Sequence, residues 1–382
     1  MRPTDEAQLA EALRQAKGPV RIRGGGTRGA AASGPAEVIE TGALSGIRLY
    51  EPGALTLVAG AGTPLQEVAQ VLAEKNQRLP FEPMDCRALL GREGTPTLGG
   101  VAATNLAGPR RVQAGAVRDF MLGVRFVDGS GRVIANGGRV MKNVTGYDLV
   151  KLLGGSWGRL GVMTELAFKV LAIPQAEATL IRRGETMAEA VPVLCQAMGT
   201  PFDVSGAAWA EGARLVRVEG MAGSVAYRAA QLDAALGGGH EIVEDAESAA
   251  LWRDVRDVTA FADRPGAVWR VSVKPTDGPR LIAALAEAGL AAQAICDWSG
   301  GLLWLLLGED GDAGAGVLRG LVTKMGGHAT LFRAGPDLRR RVPMFHPEPA
   351  GIARLTEGLR RHFDPRGLFS EAKTDAATKV TA

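Results

Sequence analysis

The sequence contains little cysteine, little net charge and no long apolar run. Three cysteines, Cys86, Cys195 and Cys296, are spread over 382 residues, and none forms a CxxC pair. This spacing argues against an iron–sulfur cluster or a structural zinc site within the chain, and it suits a reducing compartment. The net charge is only +3. Because no basic stripe with interleaved aromatic residues occurs either, nothing in the sequence supports a nucleic-acid partner.

Membrane and export signals are also lacking. The longest apolar run, Leu302–Leu307, is far shorter than the roughly 20 residues that span a bilayer. The N-terminal 18 residues lack the apolar centre of a signal peptide. We therefore expect a cytoplasmic protein, which would reach the inner membrane only as a peripheral protein held there by its partners.

Histidine is scarce as well, and the chain has four: His240, His328, His346 and His362. No two of them have the spacing of metal ligands, so no metal site is predicted, and each is interpreted as a surface residue or a satisfied core residue. Arg270 and Arg333 could bind a carboxylate, but a packing or surface role is the favoured interpretation of both.

Glycine, in contrast, is abundant, with 52 residues in clusters that do not repeat. Residues 24–29, GGGTRG, match the G-x-G-x-x-G pattern and follow a predicted strand at Val20–Arg23. A Rossmann loop must open a long helix, yet Gly34 and Pro35 arrive five residues later. The favoured interpretation is a phosphate-binding nest of backbone amides without a Rossmann helix; a Rossmann domain and a plain turn remain alternatives.

Hydrophobic periodicity predicts the elements around this loop. A helix capped by Thr4 should bury Leu9 and Leu13, and a capping box beginning at Thr63 should start a second helix. Residues 122–135 predict a β-hairpin, and residues 162–170 alternate as a strand.

Pro174 ends that strand and is taken as a domain boundary. Beyond it, strand-like and helical runs alternate, which predicts an α+β domain with a mostly antiparallel sheet in two similar halves. The predicted domains are residues 1–174, residues 175–342, and a C-terminal segment, 343–382, that packs back on the first.

A second motif is rejected. Residues 154–158, GGSWG, match the G-x-S-x-G nucleophile elbow, which requires a strand before it and a helix after it. The following residues alternate like a strand, so a hydrolase serine is not predicted.

Several motifs then combine into one pattern. They are the glycine loop, PTLGGVAATN at 96–105, GAVRD at 115–119, KNVTGYDL at 142–149 and GRLGVMTE at 158–165. Together they resemble the PCMH-type (vanillyl-alcohol oxidase-like) FAD-binding domain over nearly all of residues 1–175. Within that superfamily the length, KNVTGYDL, and the ending VPMFHPEP…HFDPRGLFS resemble the E-subunit family of bacterial glycolate oxidase (glycolate dehydrogenase) FAD-binding subunits.

The resemblance implies an α+β protein: a two-subdomain FAD-binding fold followed by an α+β cap with a mostly antiparallel sheet. It also implies a complex with a larger flavoprotein subunit and an iron–sulfur subunit that oxidises a small hydroxy acid. Some relatives attach FAD through a histidine near the first loop, but no histidine occurs between Met1 and Gly239, so non-covalent FAD is expected. The His-rich H-x-G-D-G-N stretch of catalytic relatives is absent too.

The resemblance also implies a set of cofactor-binding residues, while no catalytic residue is assigned. The glycine loop would hold the FAD pyrophosphate, the 97–104 segment would approach the cofactor and supply hydroxyl donors, and the last two residues would lie along the adenine-ribityl side. The set is Gly24, Gly25, Gly26, Thr27, Thr97, Gly99, Gly100, Thr104, Gly161 and Val162.

Three functions remain open at this point. The first is an auxiliary flavin subunit that relays electrons in, or supports, a glycolate-oxidising complex. The second is a self-sufficient FAD-dependent dehydrogenase or oxidase of a small hydroxy acid or alcohol. The third is an interaction subunit with a degenerate flavin site.

Overall fold

The computed structural model describes residues 1–28, 36–139 and 146–369. Parts of two sequence motifs, the end of the glycine motif with Gly34 and Pro35 and the start of KNVTGYDL, lie outside these residues. Elements of the N-terminal part are α1 (Glu6–Gln15), β1 (Val20–Arg23), β2 (Glu37–Glu40), β3 (Ile47–Glu51), β4 (Thr56–Gly60), α2 (Leu65–Ala73), β5 (Gln77–Arg78), α3 (Arg87–Leu90), α4 (Leu98–Thr104), α5 (Arg111–Ala114), α6 (Val117–Phe120), β6 (Met121–Val127), β7 (Val133–Gly137), α7 (Leu149–Leu153), β8 (Val162–Lys169) and β9 (Leu171–Ala172).

These elements form two layers of sheet. Strands β1 and β2 pair in parallel, while β3-β4-β8-β6-β7 form an antiparallel five-stranded sheet that contains the predicted hairpin, β6 and β7. Strand β8 does not alternate, because six of its eight residues are buried and the other two are partly exposed. Its Phe168 is fully buried, as are Phe81 and Phe126 in the same core cluster.

Two predicted helix starts are wrong in detail. Helix α1 buries Leu9 and Leu13 as expected, but its N-cap is Asp5, whose carboxylate accepts a hydrogen bond from the Gln8 amide. Helix α2 has no side-chain cap. The Thr63 hydroxyl instead donates to the Gly60 carbonyl and accepts from the Gly46 amide, because the side chain is fully buried in the loop that precedes the helix.

The remaining elements build the predicted α+β domain and the C-terminal segment. They are β10 (Ala176–Arg183), α8 (Met187–Met198), β11 (Val204–Ala210), β12 (Ala213–Gly220), α9 (Ala222–Ala235), β13 (Glu241–Glu244), α10 (Asp245–Asp257), β14 (Ala267–Ser272), α11 (Asp277–Glu287), β15 (Gln293–Asp297), β16 (Leu302–Leu307), α12 (Ala315–Lys324), β17 (His328–Arg333), α13 (Pro336–Arg341) and α14 (Ala350–Phe363).

The cap sheet consists of two similar halves, as the alternation of runs indicated. Its order is β13-β10-β12-β11-β15-β16-β14-β17, and every neighbouring pair is antiparallel. Each half follows the chain order strand, helix, strand, strand, helix, strand, which is the split βαβ arrangement. The halves join edge to edge through β11 and β15.

The end of the described chain returns to the N-terminal part. Phe363 packs against Phe126 with ring centroids 5.9 Å apart, and the Leu368 carbonyl accepts a hydrogen bond from the Val20 amide. Phe345 meets Trp157 edge-on at 5.4 Å. The two large sheets lie on either side of residue 174, and the division at 174 and 342 stays a prediction.

A buried ionic network joins the two parts. Arg217 of β12, 1% exposed, donates to both carboxylate oxygens of Glu82, while Glu219, 6% exposed, pairs with Arg110 and Arg78. Glu82, Arg110 and Arg78 belong to the N-terminal part, so the network connects the cap to it. Buried charges of both signs compensate one another here, and removal of one would leave its partners uncompensated.

Within the described ranges no helix is both long and apolar enough to cross a membrane. In the same residues no three His, Cys, Asp or Glu side chains are grouped as a metal site would require. The three cysteines are free thiols, and burial raises the pKa of Cys86 to about 11.

Candidate functional site

The glycine loop is packed closely against a second loop. A Cβ added at Gly25 would lie 1.5 Å from the Thr95 carbonyl oxygen, and one at Gly94 would lie 2.1 Å from the Gly25 carbonyl oxygen. Only glycine permits this approach. The positive φ of the loop belongs to Gly26, at 75°. The loop therefore requires Gly25 for close packing of backbone and Gly26 for conformation.

This packing leaves the loop amides available. Within the described part of the chain, the backbone N–H groups of residues 24–27 donate no hydrogen bond. Consecutive free amides form a concave donor surface suited to an anion, which is the nest expected from the sequence.

All ten predicted cofactor-binding residues line one cavity of about 320 Å³. The structure thus brings together residues from three separate segments: the loop after β1, helix α4 with its N-cap, and the start of β8. The side chains and backbone around them include positions that the sequence did not single out: Arg21, Ile22, Arg23, Arg28, Val38, Thr41, Ala61, Arg92, Ala103, Trp157, Gly158 and Met163.

The cavity wall is cationic. Four of its described residues are arginines and none is Asp or Glu. Arg28 is 6% exposed, and its Nη2 donates to the Met84 carbonyl, whereas Nε and Nη1 are buried and have no partner in the described ranges. A buried guanidinium with two orphaned nitrogens in a wall without carboxylates fits an anionic group such as a diphosphate. Its position directly after Thr27 was the signal that sequence reasoning missed.

Three of the predicted cofactor-binding residues also have hydrogen bonds or packing contacts within the protein. Thr97 is the N-cap of α4 and accepts a hydrogen bond from the Gly100 amide at 3.3 Å, so its own proton is free to donate. Thr104 donates to the Gly100 carbonyl at 2.9 Å, which occupies its only proton. A Cβ at Gly161 would lie 2.7 Å from the Phe126 ring, so that glycine is required by packing inside the protein.

The GGSWG segment forms the junction between this cavity and a larger one. It follows helix α7 and precedes strand β8, the reverse of a nucleophile elbow, so the rejection of that motif is confirmed. Thr104 and Trp157 line both cavities. The Ser156 hydroxyl is buried without a partner among the described residues.

The larger cavity, about 830 Å³, lies where the N-terminal part, the cap and the C-terminal segment meet. Arg270 and His328 of the cap line it, together with His346. Burial lowers the pKa of His328 and His346, with Arg270 adding to the effect at His328. The interpretation of the histidines as surface or core residues therefore missed that two of them face a cavity.

Arg270 and Arg333, the two arginines considered as carboxylate ligands, have different surroundings in the structure. Arg333 donates to the backbone carbonyls of Leu89, Phe261 and Arg264, among others, which is a packing role, as expected. Arg270 packs on the rings of Trp298 and Trp304 and also lines the large cavity, so its role as a carboxylate ligand stays a prediction.

Comparison with known proteins agrees with this geometry. Residues 1–136 match the family model described as "FAD binding domain". The glycolate oxidase subunit GlcE of Escherichia coli strain K12 is 35% identical over 98% of both chains. The chain belongs to the GlcE family of glycolate oxidase subunits. Glycolate oxidase subunit GlcD of Bacillus subtilis strain 168 is 28% identical over 47% of this chain, and the match spans 38% of that protein.

Among solved structures, an alkyldihydroxyacetonephosphate synthase superposes with a TM-score of 0.66 over 96% of this chain and 76% of its own, at 15% identity. That likeness shows the fold. The predicted PCMH-type fold with an α+β cap is thereby confirmed. So are the FAD cofactor and the assignment to FAD-dependent oxidoreductases.

Proposed function

We propose that this chain is the FAD-binding subunit of a glycolate-oxidising complex, where it holds FAD non-covalently and relays electrons or supports the catalytic subunit. The observation that carries the proposal is the end-to-end similarity to a glycolate oxidase subunit. The cavity lined by all ten expected residues supports it. In this proposal residues 1–174 are the FAD domain, 175–342 the cap, and 343–382 the returning segment.

The chain's own residues would bind and orient the cofactor. The free amides of residues 24–27 and the orphaned Nε and Nη1 of Arg28 would hold the pyrophosphate. Trp157, which lines both cavities, would separate the nucleotide end from the reactive end. FAD, when bound, supplies the hydride and electron chemistry, and the protein supplies position and electrostatics.

The partners would be a larger flavoprotein subunit and an iron–sulfur subunit. The similarity of this chain to both an E-type and a D-type glycolate oxidase subunit supports the first of these. The complex would act in the cytoplasm, or at the inner membrane through its partners. Its substrate would be a small hydroxy acid.

A second candidate is a self-sufficient FAD-dependent dehydrogenase of a small hydroxy acid. The large cavity favours it, because Arg270 could hold a carboxylate and His328, which lines the cavity and whose pKa is lowered, could accept a proton. The test that separates the two candidates is activity of the isolated chain.

For the cofactor, we expect the purified protein to be yellow and acid precipitation to leave FAD in the supernatant. Arg28→Met should weaken FAD binding by roughly tenfold or more, the equivalent of about 1.5–3 kcal/mol for a charge-assisted contact. Arg48→Met, which changes an exposed arginine of β3, is the matched control and should leave FAD binding unchanged. Flavin that stays with the pellet would contradict non-covalent binding.

For the function, the FAD-loaded chain should oxidise glycolate with an artificial acceptor only at background rate until the two partner subunits are added. Rapid bleaching of its own flavin by glycolate, without partners, would favour the self-sufficient dehydrogenase.

A further inference from the structure

The large cavity carries an unbalanced positive charge. Among its described lining residues are five arginines and two histidines, against one carboxylate, Glu348, which is exposed. The arginines are Arg111, Arg118, Arg159, Arg270 and Arg360, and the histidines are His328 and His346. Such a wall attracts anions and concentrates them inside the cavity.

Two of these arginines share one aromatic ring. The Cζ atom of Arg111, from the FAD domain, lies 4.6 Å from the centroid of the Trp298 ring, and that of Arg270, from the cap, lies 5.2 Å from it. Trp298 itself donates a hydrogen bond to the Gly108 carbonyl, so the ring is anchored across the domain junction. Stacking holds both planar cations in place while their N–H groups remain available.

Both guanidinium groups lack a direct side-chain partner within the described residues. Arg111 and Arg270 form no hydrogen bond and no ion pair with any residue in the described ranges. Burial, with the repulsion from Arg111 added to it, lowers the pKa of Arg270 to about 10. Burial and the nearby Arg118 lower the pKa of Arg111 as well. Two partly desolvated cations that repel each other are a cost that a bound anion would offset.

The neighbouring side chains suit an oxygen-rich anion. Thr330 of β17 lies directly opposite Arg270 of β14, so the two side chains are on the same face of the sheet. His328, two residues earlier on the same strand and face, also lines the cavity. The site thus combines two cations with a hydroxyl and an imidazole.

We propose that Arg111 and Arg270 together bind a small carboxylate, of the size of a two-carbon 2-hydroxy or 2-oxo acid, inside the large cavity of this chain. The choice of ligand rests on the proposed function, whereas the site itself rests on the two unpaired guanidinium groups. This subunit would accordingly contact the acid directly, in addition to any site on a partner.

The test is isothermal titration calorimetry of the full chain, FAD-loaded and FAD-depleted, with oxalate in a carboxylate-free buffer of constant chloride. Oxalate is a two-carbon acid without a hydride to give up, so binding is measured apart from turnover. The FAD-loaded wild type should bind it. Arg111→Met and Arg270→Met should each weaken binding by roughly tenfold or more, and Arg270→Lys should give an intermediate loss because it keeps the charge without the fork.

Arg253→Met is the matched control, since it removes an exposed arginine of α10 that lines neither cavity, and it should change binding less than about threefold. Circular dichroism, the melting temperature and FAD content accompany every variant, and Arg270→Lys keeps the test valid if a methionine variant fails to fold.

Absence of oxalate binding by the wild type, or an equal loss in Arg253→Met, would overturn the site. So would binding to the FAD-depleted chain that disappears on FAD loading, because the arginines would then serve the cofactor itself. A chain that binds oxalate but never FAD would support the carboxylate site and reject the proposed function.

Discussion

The two cavities of this protein differ in whether backbone or side chains form their walls. The small cavity is formed largely by backbone: glycines at 24–26 and 99–100, free amides, and a loop packed against a facing carbonyl. The large cavity is formed by side chains from three distant parts of the chain, with arginines of the FAD domain and of the cap meeting on Trp298. The first depends on local conformation, and the second depends on how the domains pack.

This difference has a consequence for the effect of mutations. A backbone-built site tolerates change at surrounding side chains but not at its glycines, because one Cβ obstructs the loop contact. A site assembled from side chains loses its geometry when the domain junction shifts. The variants below are expected to affect one cavity and spare the other.

The largest effect is expected from Arg217→Met. It removes the cation that connects the cap to Glu82 and leaves the buried Glu219 with less compensation, so we expect a loss of about 3–5 kcal/mol in the free energy of unfolding. Carboxylate binding in the large cavity should fall more than FAD binding in the small one. Chemical denaturation and the two binding assays measure this.

Arg183→Met is the control, because Arg183 pairs with Glu241 on the exposed surface of the cap sheet and should contribute less than about 1 kcal/mol. Equal losses for the two variants would mean that the buried network does not hold the domain junction.

Gly25→Ala should have the next largest effect and should act on the small cavity. The new Cβ would meet the Thr95 carbonyl oxygen at 1.5 Å, which forces the two loops apart at a cost of about 1–3 kcal/mol. FAD released by acid, per mole of chain, should fall sharply. Gly53→Ala, where nothing lies within 4 Å, should retain full FAD content. Full occupancy in Gly25→Ala would show that the loop does not shape the site.

Asp297→Asn tests a buried carboxyl group of the cap through the pH dependence of stability. Burial raises the pKa of Asp297 to about 7, so the folded state holds its proton more tightly than the unfolded state, where the pKa is about 3.9. Its contribution to stability is therefore present below about pH 4 and is lost as the pH rises through 7. Between pH 5 and pH 8 the free energy of unfolding should therefore fall further in the wild type than in Asp297→Asn, by on the order of 2 kcal/mol.

The measurement is chemical denaturation of wild type and variant at both pH values. Asp310→Asn, at an exposed position, should reproduce the wild-type pH dependence. A variant at Asp297 with the wild-type slope would indicate that this carboxyl is already ionised at pH 5.

The smallest effect compares two helix caps. Thr97 caps α4 beside the small cavity, and Thr186 caps α8 in the cap through a capping box with Glu189. Replacing either by alanine should cost about 1 kcal/mol of stability. Only Thr97→Ala should also lower FAD content, because its hydroxyl lines that cavity. A loss of FAD in Thr186→Ala would mean that the cap influences the small cavity as well.

The residues of the small cavity are recognisable from the sequence because they carry backbone signals, and their role in binding FAD stays a prediction. Glycine clusters and threonines next to them are recognisable in a linear motif, and all ten predicted residues line one cavity. The sequence predicted the wrong role where a polar side chain has several possible hydrogen-bond partners. Thr63 looked like a helix cap but is buried in a loop contact, and Asp5 took the cap assigned to Thr4.

The surroundings of Arg270 and Arg333 were also not predictable from the sequence. Both are arginines of cap strands, Arg270 inside β14 and Arg333 at the end of β17, and nothing in the neighbouring residues predicts their different surroundings. One satisfies carbonyls of the backbone, and the other faces a cavity without an ion pair in the described ranges. Their difference depends on which chain segments pack beside them.

The amino-acid sequence by itself determined the FAD-binding motif, the antiparallel α+β cap and its two halves, because glycine positions and hydrophobic periodicity act over a few residues. Only the tertiary structure decided the large cavity and the stacking of Arg111 and Arg270 on Trp298. The physical reason is that the environment of a long charged side chain is set by neighbours from other segments of the chain, and such neighbours leave no local periodicity in the sequence.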